Sequence, residues 1–168
     1  MSALTADDGD VELERALWAL RAYDTMALAT AGEAGPHVAG VFFAPERFEN
    51  GIRLLIATRG GTRLHRELAV DPRVAFMCSP GNASRWIQGG GTASVVEDPG
   101  QRTDVTRRLI DHAAGAQAYV EGPEVLPVAI AVRWLKVVEA RDGPHLLLRF
   151  DASGQEASSL PRSTKKPG

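Results

Sequence analysis

Between Thr25 and Cys78 the chain runs through short strand-like segments joined by tight turns. Parallel strands need crossovers of a dozen residues or more, and the turns joining the early segments are too short for that. This disfavours a doubly wound sheet and points to a closed or partly closed antiparallel barrel with a few peripheral helices. Strands are expected over 25–30, 37–43, 52–58 and 73–78, with a Gly/Pro turn at 31–36 and an Asn50-Gly51 turn. A long strand over 85–97 is interrupted by Gly89-Gly90-Gly91, and others follow over 126–139 and 146–150. The glycine triplet needs a reason: a bulge or barrel corner, or close approach of a ligand or second subunit.

Helical periodicity is confined to three places. Leu13, Ala16, Leu17, Leu20 and Tyr23 predict an amphipathic helix over 10–23, with Asp10 a candidate N-cap. A short pattern ends at Pro72, and a third helix over 99–112 opens on Pro99 and carries Val105, Leu109 and Ile110. Residues 113–124 show no readable period. Residues 1–9 read as a polar leader, 10–150 as one domain, and 151–168, rich in Ser, Pro and Lys, as a disordered tail.

A net charge of -2 gives no basic footprint for nucleic acid or an anionic membrane. No apolar run approaches bilayer length, and the acidic N-terminus lacks the features of a signal peptide, so the expected location is cytoplasmic. The single cysteine, Cys78, lies in a strand-like V-A-F-M-C and reads as a small buried apolar residue. The four histidines show no metal-ligand spacing, and no catalytic triad can be assembled, so no catalytic side chain is assigned.

Ile56 to Phe76 carries the densest chemistry. An apolar run ends in Thr58, a Gly60-Gly61 turn follows, and Thr62 is placed to cap a helix beginning at Arg63. Hydroxyls, guanidinium groups from Arg59 and Arg63, and helix-start amides together suit a phosphate. No Walker lysine follows the glycines, which leaves a phosphate monoester such as a flavin mononucleotide tail rather than a triphosphate. On spacing alone, a strand, a loop and a capped helix with surface arginines, Arg63 pairing with Glu67, explain the stretch as well.

The runs A-L-A-T-A-G-E-A-G-P-H-V-A-G-V-F-F, L-L-I-A-T-R-G-G-T-R-L-H-R-E-L-A-V-D-P-R-V-A-F and R-W-I-Q-G-G-G-T-A-S-V-V-E-D, in that order, resemble the pyridoxamine 5′-phosphate oxidase-like, FMN-binding split-barrel superfamily. The resemblance implies a mainly β fold: a six-stranded antiparallel split β-barrel that forms a homodimer with flavin at the subunit interface. It implies that His37, Val38, Ala39, Gly40, Val41 and Phe42 lie along the isoalloxazine ring. It implies a phosphate held by Thr58, Thr62 and Arg63, with Arg59 a further candidate, and Trp86 and Gln88 approaching from the partner subunit. Two departures stand out: Leu64 replaces a lysine the family often has, and the tail lacks the C-terminal substrate-phosphate motif of true pyridoxamine phosphate oxidases.

The expected activity is therefore an FMN-dependent oxidoreductase acting by hydride transfer at flavin N5 on an unidentified small molecule. Within the same fold, a deazaflavin reductase and a haem-binding protein are alternatives. Of another class is a non-catalytic flavin-binding or structural dimer, for which Leu64 speaks.

Overall fold

A computed structural model describes residues 6–150. Its elements in chain order are α1 (Ala6–Leu20), β1 (Thr25–Gly32), β2 (Gly35–Phe42), β3 (Ala44–Phe48), β4 (Gly51–Arg59), α2 (Arg63–Val70), β5 (Arg73–Cys78), β6 (Trp86–Val95), α3 (Pro99–His112), a 3-10 turn (Ala114–Tyr119), β7 (Val125–Val138) and β8 (His145–Arg149). The tail expected at 151–168 and the first five residues of the expected leader lie outside the described residues.

All eight strands form one sheet in the order β2-β1-β5-β6-β7-β4-β3, with β8 on β7. Every pairing is antiparallel. The resemblance implies six strands and the structure has eight among the described residues, of which β3 and β8, at five residues each, are the shortest. β7 is the spine. One edge pairs β6, while the other pairs β4 through Val125–Ala131 and β8 through Trp134–Val138.

Alternation along the strands divides the side chains between two cores. Leu28, Leu54, Ile56, Phe76, Val128, Ile130 and Leu135 fill the barrel together with Leu13, Leu17 and Leu20 of α1. Leu55, Val125 and Ala129, on the opposite face, pack against Val105 and Leu109 of α3. Full burial of each such side chain contributes about 1.5–3 kcal/mol. Cys78 belongs to the barrel core, and burial pushes its thiol up to about 12, so it remains protonated.

One local expectation is corrected, one strand is added and one open alternative is decided. α1 begins at Ala6, so Asp10 is not its N-cap; the residue lies within the helix and its exposed carboxylate is 2.6 Å from Arg47. Residues 44–48, where the sequence carries no strand pattern, form β3, because Ala44 and Leu55 are buried under α3 and bring the two segments into register. The glycine triplet does not break its strand. β6 is continuous, with a bulge between Gly90 and Gly91, and a Cβ at Gly89 would lie 2.8 Å from the Trp134 carbonyl. The chain's own Phe76, Trp134 and Ala131 occupy the space the glycines leave, which is the bulge reading.

Candidate functional site

β2 ends the sheet on one side, while β3 covers only Gly51–Leu55 of β4 on the other. The Ile56–Arg59 stretch of β4 therefore has no strand on its β3-side edge, and it borders β2 across a split. A pocket of about 270 Å³ sits there, lined by Gly40, Val41 and Phe42 from β2, Ala57 from β4, and Leu109 and Tyr119. The Phe42 and Tyr119 rings are 5.7 Å apart at its rim.

The loop leaving β4 builds the polar end of this split. Thr62 caps α2, its hydroxyl accepting from the His65 amide at 3.3 Å and lying 3.0 Å from the Thr58 hydroxyl. Gly61 takes a φ of +77°, which glycine adopts without strain. The loop amides are largely committed: Gly60 donates to the Glu124 carbonyl, Gly61 to His65 Nδ1 and Thr62 to the Arg59 carbonyl. The amides of Arg63 and Leu64, in the first helical turn, have no carbonyl within the helix. These are the two amides a ligand would meet.

The cations divide similarly. Arg59 is 3.9 Å from Glu124 and exposed, and Arg66 donates to the Gly61 carbonyl. Arg63 Nε donates to Glu67 Oε1 at 2.6 Å. Leu64, where the family often has lysine, is turned into the barrel core.

Glu67 is the residue whose setting the sequence conceals. The expected i,i+4 partner of Arg63 is present, yet its carboxylate is not on the surface: Glu67 is only 7% exposed. It accepts from Thr30 on β1 and Arg63 on α2, and it contacts His37 Nδ1 on β2 at 3.0 Å. A Cβ at Gly32 would lie 2.6 Å from Glu67 Oε1, so that glycine makes room for the carboxylate. The Thr30 hydroxyl, then Arg63, hold the acid down to about 2, so it is ionised throughout the physiological range. A signal was present: Glu67 shares the apolar face of α2 with Leu64 and Leu68, where a charge calls for buried partners.

Thus Thr58, Arg59, Thr62 and Arg63 gather at one end of the split, and Glu67 ties them to His37. Along β2, His37, Ala39 and Val41 are partly buried, while Val38 and Gly40 face outward. Trp86 and Gln88 are not brought to this place. Gln88 sits in the same cross-sheet row as Gly40, with Ala27 and Met77 between, three strand spacings or about 14 Å away. Trp86 Nε1 donates to Gln88 at 3.2 Å, and its ring meets His145.

His65 is engaged by the loop, and His112 Nε2 lies 2.8 Å from the Tyr23 carbonyl. Among the described residues no group of three or more His, Cys, Asp or Glu is arranged to hold a metal ion. Nor is any helix among them long and apolar enough to cross a membrane.

The fold and its split define a split β-barrel, and comparison with known proteins makes the class specific. The family model for pyridoxamine 5′-phosphate oxidase matches residues 14–142, and the chain belongs to that family. Among solved structures, a Clostridium acetobutylicum protein related to general stress protein 26, of the pyridoxinephosphate oxidase family, superposes with a TM-score of 0.63 at 14% identity, covering 84% of this chain and 96% of its own. A haem-binding protein from Mycobacterium smegmatis gives 0.61 at 15% identity, covering 89% and 60%. A NimC/NimA family protein from C. acetobutylicum gives 0.62 at 15%, covering 86% and 98%. At these identities the likeness is one of fold. No match is found among curated protein sequences.

Proposed function

We propose that the protein is an FMN-dependent oxidoreductase acting on a small molecule, and that it works as a cytoplasmic homodimer. The observation that carries this reading is the split itself, where an unpaired strand edge meets a hydroxyl, amide and guanidinium cradle. The donor set suits a phosphate monoester once the Thr62 hydroxyl turns from the Arg59 carbonyl, to which it donates at 2.8 Å: the Thr58 and Thr62 hydroxyls, the Arg63 and Leu64 amides, and the Arg63 guanidinium, with Arg59 at the rim. β2 from His37 to Phe42 offers backbone groups along its free edge, beside an apolar pocket sized for part of a planar ring.

When bound, flavin supplies hydride transfer at N5. The chain's residues would bind and orient it: hydroxyls would hydrogen-bond the phosphate, guanidinium groups would neutralise it, the β2 edge would hold the ring, and Phe42 with Tyr119 would flank it. No side chain is assigned a proton-transfer role.

A second subunit would complete the site. The outer face of the sheet presents Val38, Ala29 and Ala75 in one row and Gly40, Ala27 and Met77 in the next. Val38 is 63% and Met77 47% exposed, so this flat, small-residue face suits burial against a copy of itself. A partner's Trp86 and Gln88 could then approach the ring, which within one protomer they do not.

The test is a visible spectrum followed by titration of the purified protein with FMN and riboflavin, then steady-state reduction with nicotinamide donors. A two-band flavin spectrum and tighter binding of FMN than of riboflavin are expected. A deazaflavin band or a Soret peak would replace the cofactor; binding without turnover would make the protein a carrier. Failure to bind any of the three would leave a structural dimer.

A further inference from the structure

The carboxylate of Glu67 is buried at a cost that only its three partners offset. An apolar residue would serve packing at this position, flanked as it is by Leu64 and Leu68 in the barrel core. What the carboxylate adds is connection: it joins β1, β2 and α2, and it contacts one residue from each half of the candidate site. At the phosphate end it takes Arg63 through Nε, and among the described residues Arg63 has no other bonded partner. The terminal nitrogens of a guanidinium held this way remain available, and the fork is fixed in direction. At the ring end it contacts His37 Nδ1 at 3.0 Å, in the strand that borders the pocket.

We propose that Glu67 is a positioning residue for cofactor binding: it aims the Arg63 guanidinium at a phosphate held by Thr58 and Thr62, and locks β2 to α2 across the split. The proposal rests on the flavin reading above. Gly32 belongs to the device, since any side chain there would displace the carboxylate.

Because Glu67 acts through Arg63, its effect is specific to the phosphate and is read as the ratio of FMN to riboflavin affinity. Glu67→Ala is expected to lower that ratio about tenfold, the worth of one charge-assisted hydrogen bond. Arg63→Ala should lower it by a similar factor, and adding Glu67→Ala to Arg63→Ala should lower it no further. Glu67→Gln, which keeps an oxygen for Arg63 Nε, should stay within about threefold of the wild-type ratio. Should Glu67→Ala not fold, Glu67→Leu fills the same volume with apolar surface and is expected to give the same loss. An unchanged ratio, or single effects that multiply in the double variant, overturns the proposal. Wild-type protein that binds no FMN overturns the cofactor reading instead, so the two failures are distinguishable.

Discussion

α2 and α3 are built to one plan and put to different uses. Each is capped by a side chain, Thr62 in one and Asp98 in the other, and each lays an apolar face on the sheet. α3 buries Val105 and Leu109 and keeps its charges outside, where Arg107 and Arg108 pair with Asp104, Asp111 and Glu46. α2 buries a carboxylate and recruits residues from two strands to satisfy it. Exposed pairs like those on α3 contribute little and tolerate change. A buried charge where leucine would fit is a costlier arrangement, and it occurs at the end of the split where the cradle lies.

Substitutions can break or sharpen this contrast. Leu109→Ala, in the helix that packs on the sheet and lends the pocket one apolar wall, should cost about 2–5 kcal/mol in chemical denaturation while leaving the FMN-to-riboflavin ratio unchanged, because the two ligands share the ring. Gly32→Ala should cost about 1–3 kcal/mol by crowding Glu67, and here the ratio should fall as well. The two caps make a matched pair: Thr62→Ala and Asp98→Ala should each cost about 1 kcal/mol, but only the first should weaken flavin binding in a titration.

Acid supplies a fourth comparison. The folded state holds Glu67 at about 2, below its ordinary 4.5. Its contribution is therefore complete above about pH 4.5 and is lost as the pH falls toward 2. Wild-type protein should lose more stability across that window than Glu67→Gln, as followed by circular dichroism. The smallest effect belongs to Arg107→Ala, whose exposed pairs should be worth under about 0.5 kcal/mol and nothing to binding.

The barrel was readable from the sequence because alternation and short turns leave few alternatives, and Pro99 marks the start of α3. β3 was not, since Ala44-Pro45-Glu46 carries no strand pattern and pairs only because β4 and α3 bury it. Within the site, the Thr62 cap and the Arg63–Glu67 pair follow from helical spacing. The burial of that pair does not, because Thr30, Gly32 and His37 reach it through a hairpin whose relation to α2 is set by tertiary packing. The loop amides show the same limit: Gly60 is consumed by Glu124, more than sixty residues on.

The long β7 carries a consequence for how the molecule is made. β4 and β6 are finished early, yet each waits for β7: Leu54 for Ile130, Ala93 for that same residue from the other side. A nascent chain that stops short of Val125 thus holds apolar strand edges with nothing to zip onto. Such non-local pairing is slow, and edges left open in the meantime invite pairing between molecules. β7 is thus the strand whose arrival closes both of those edges at once.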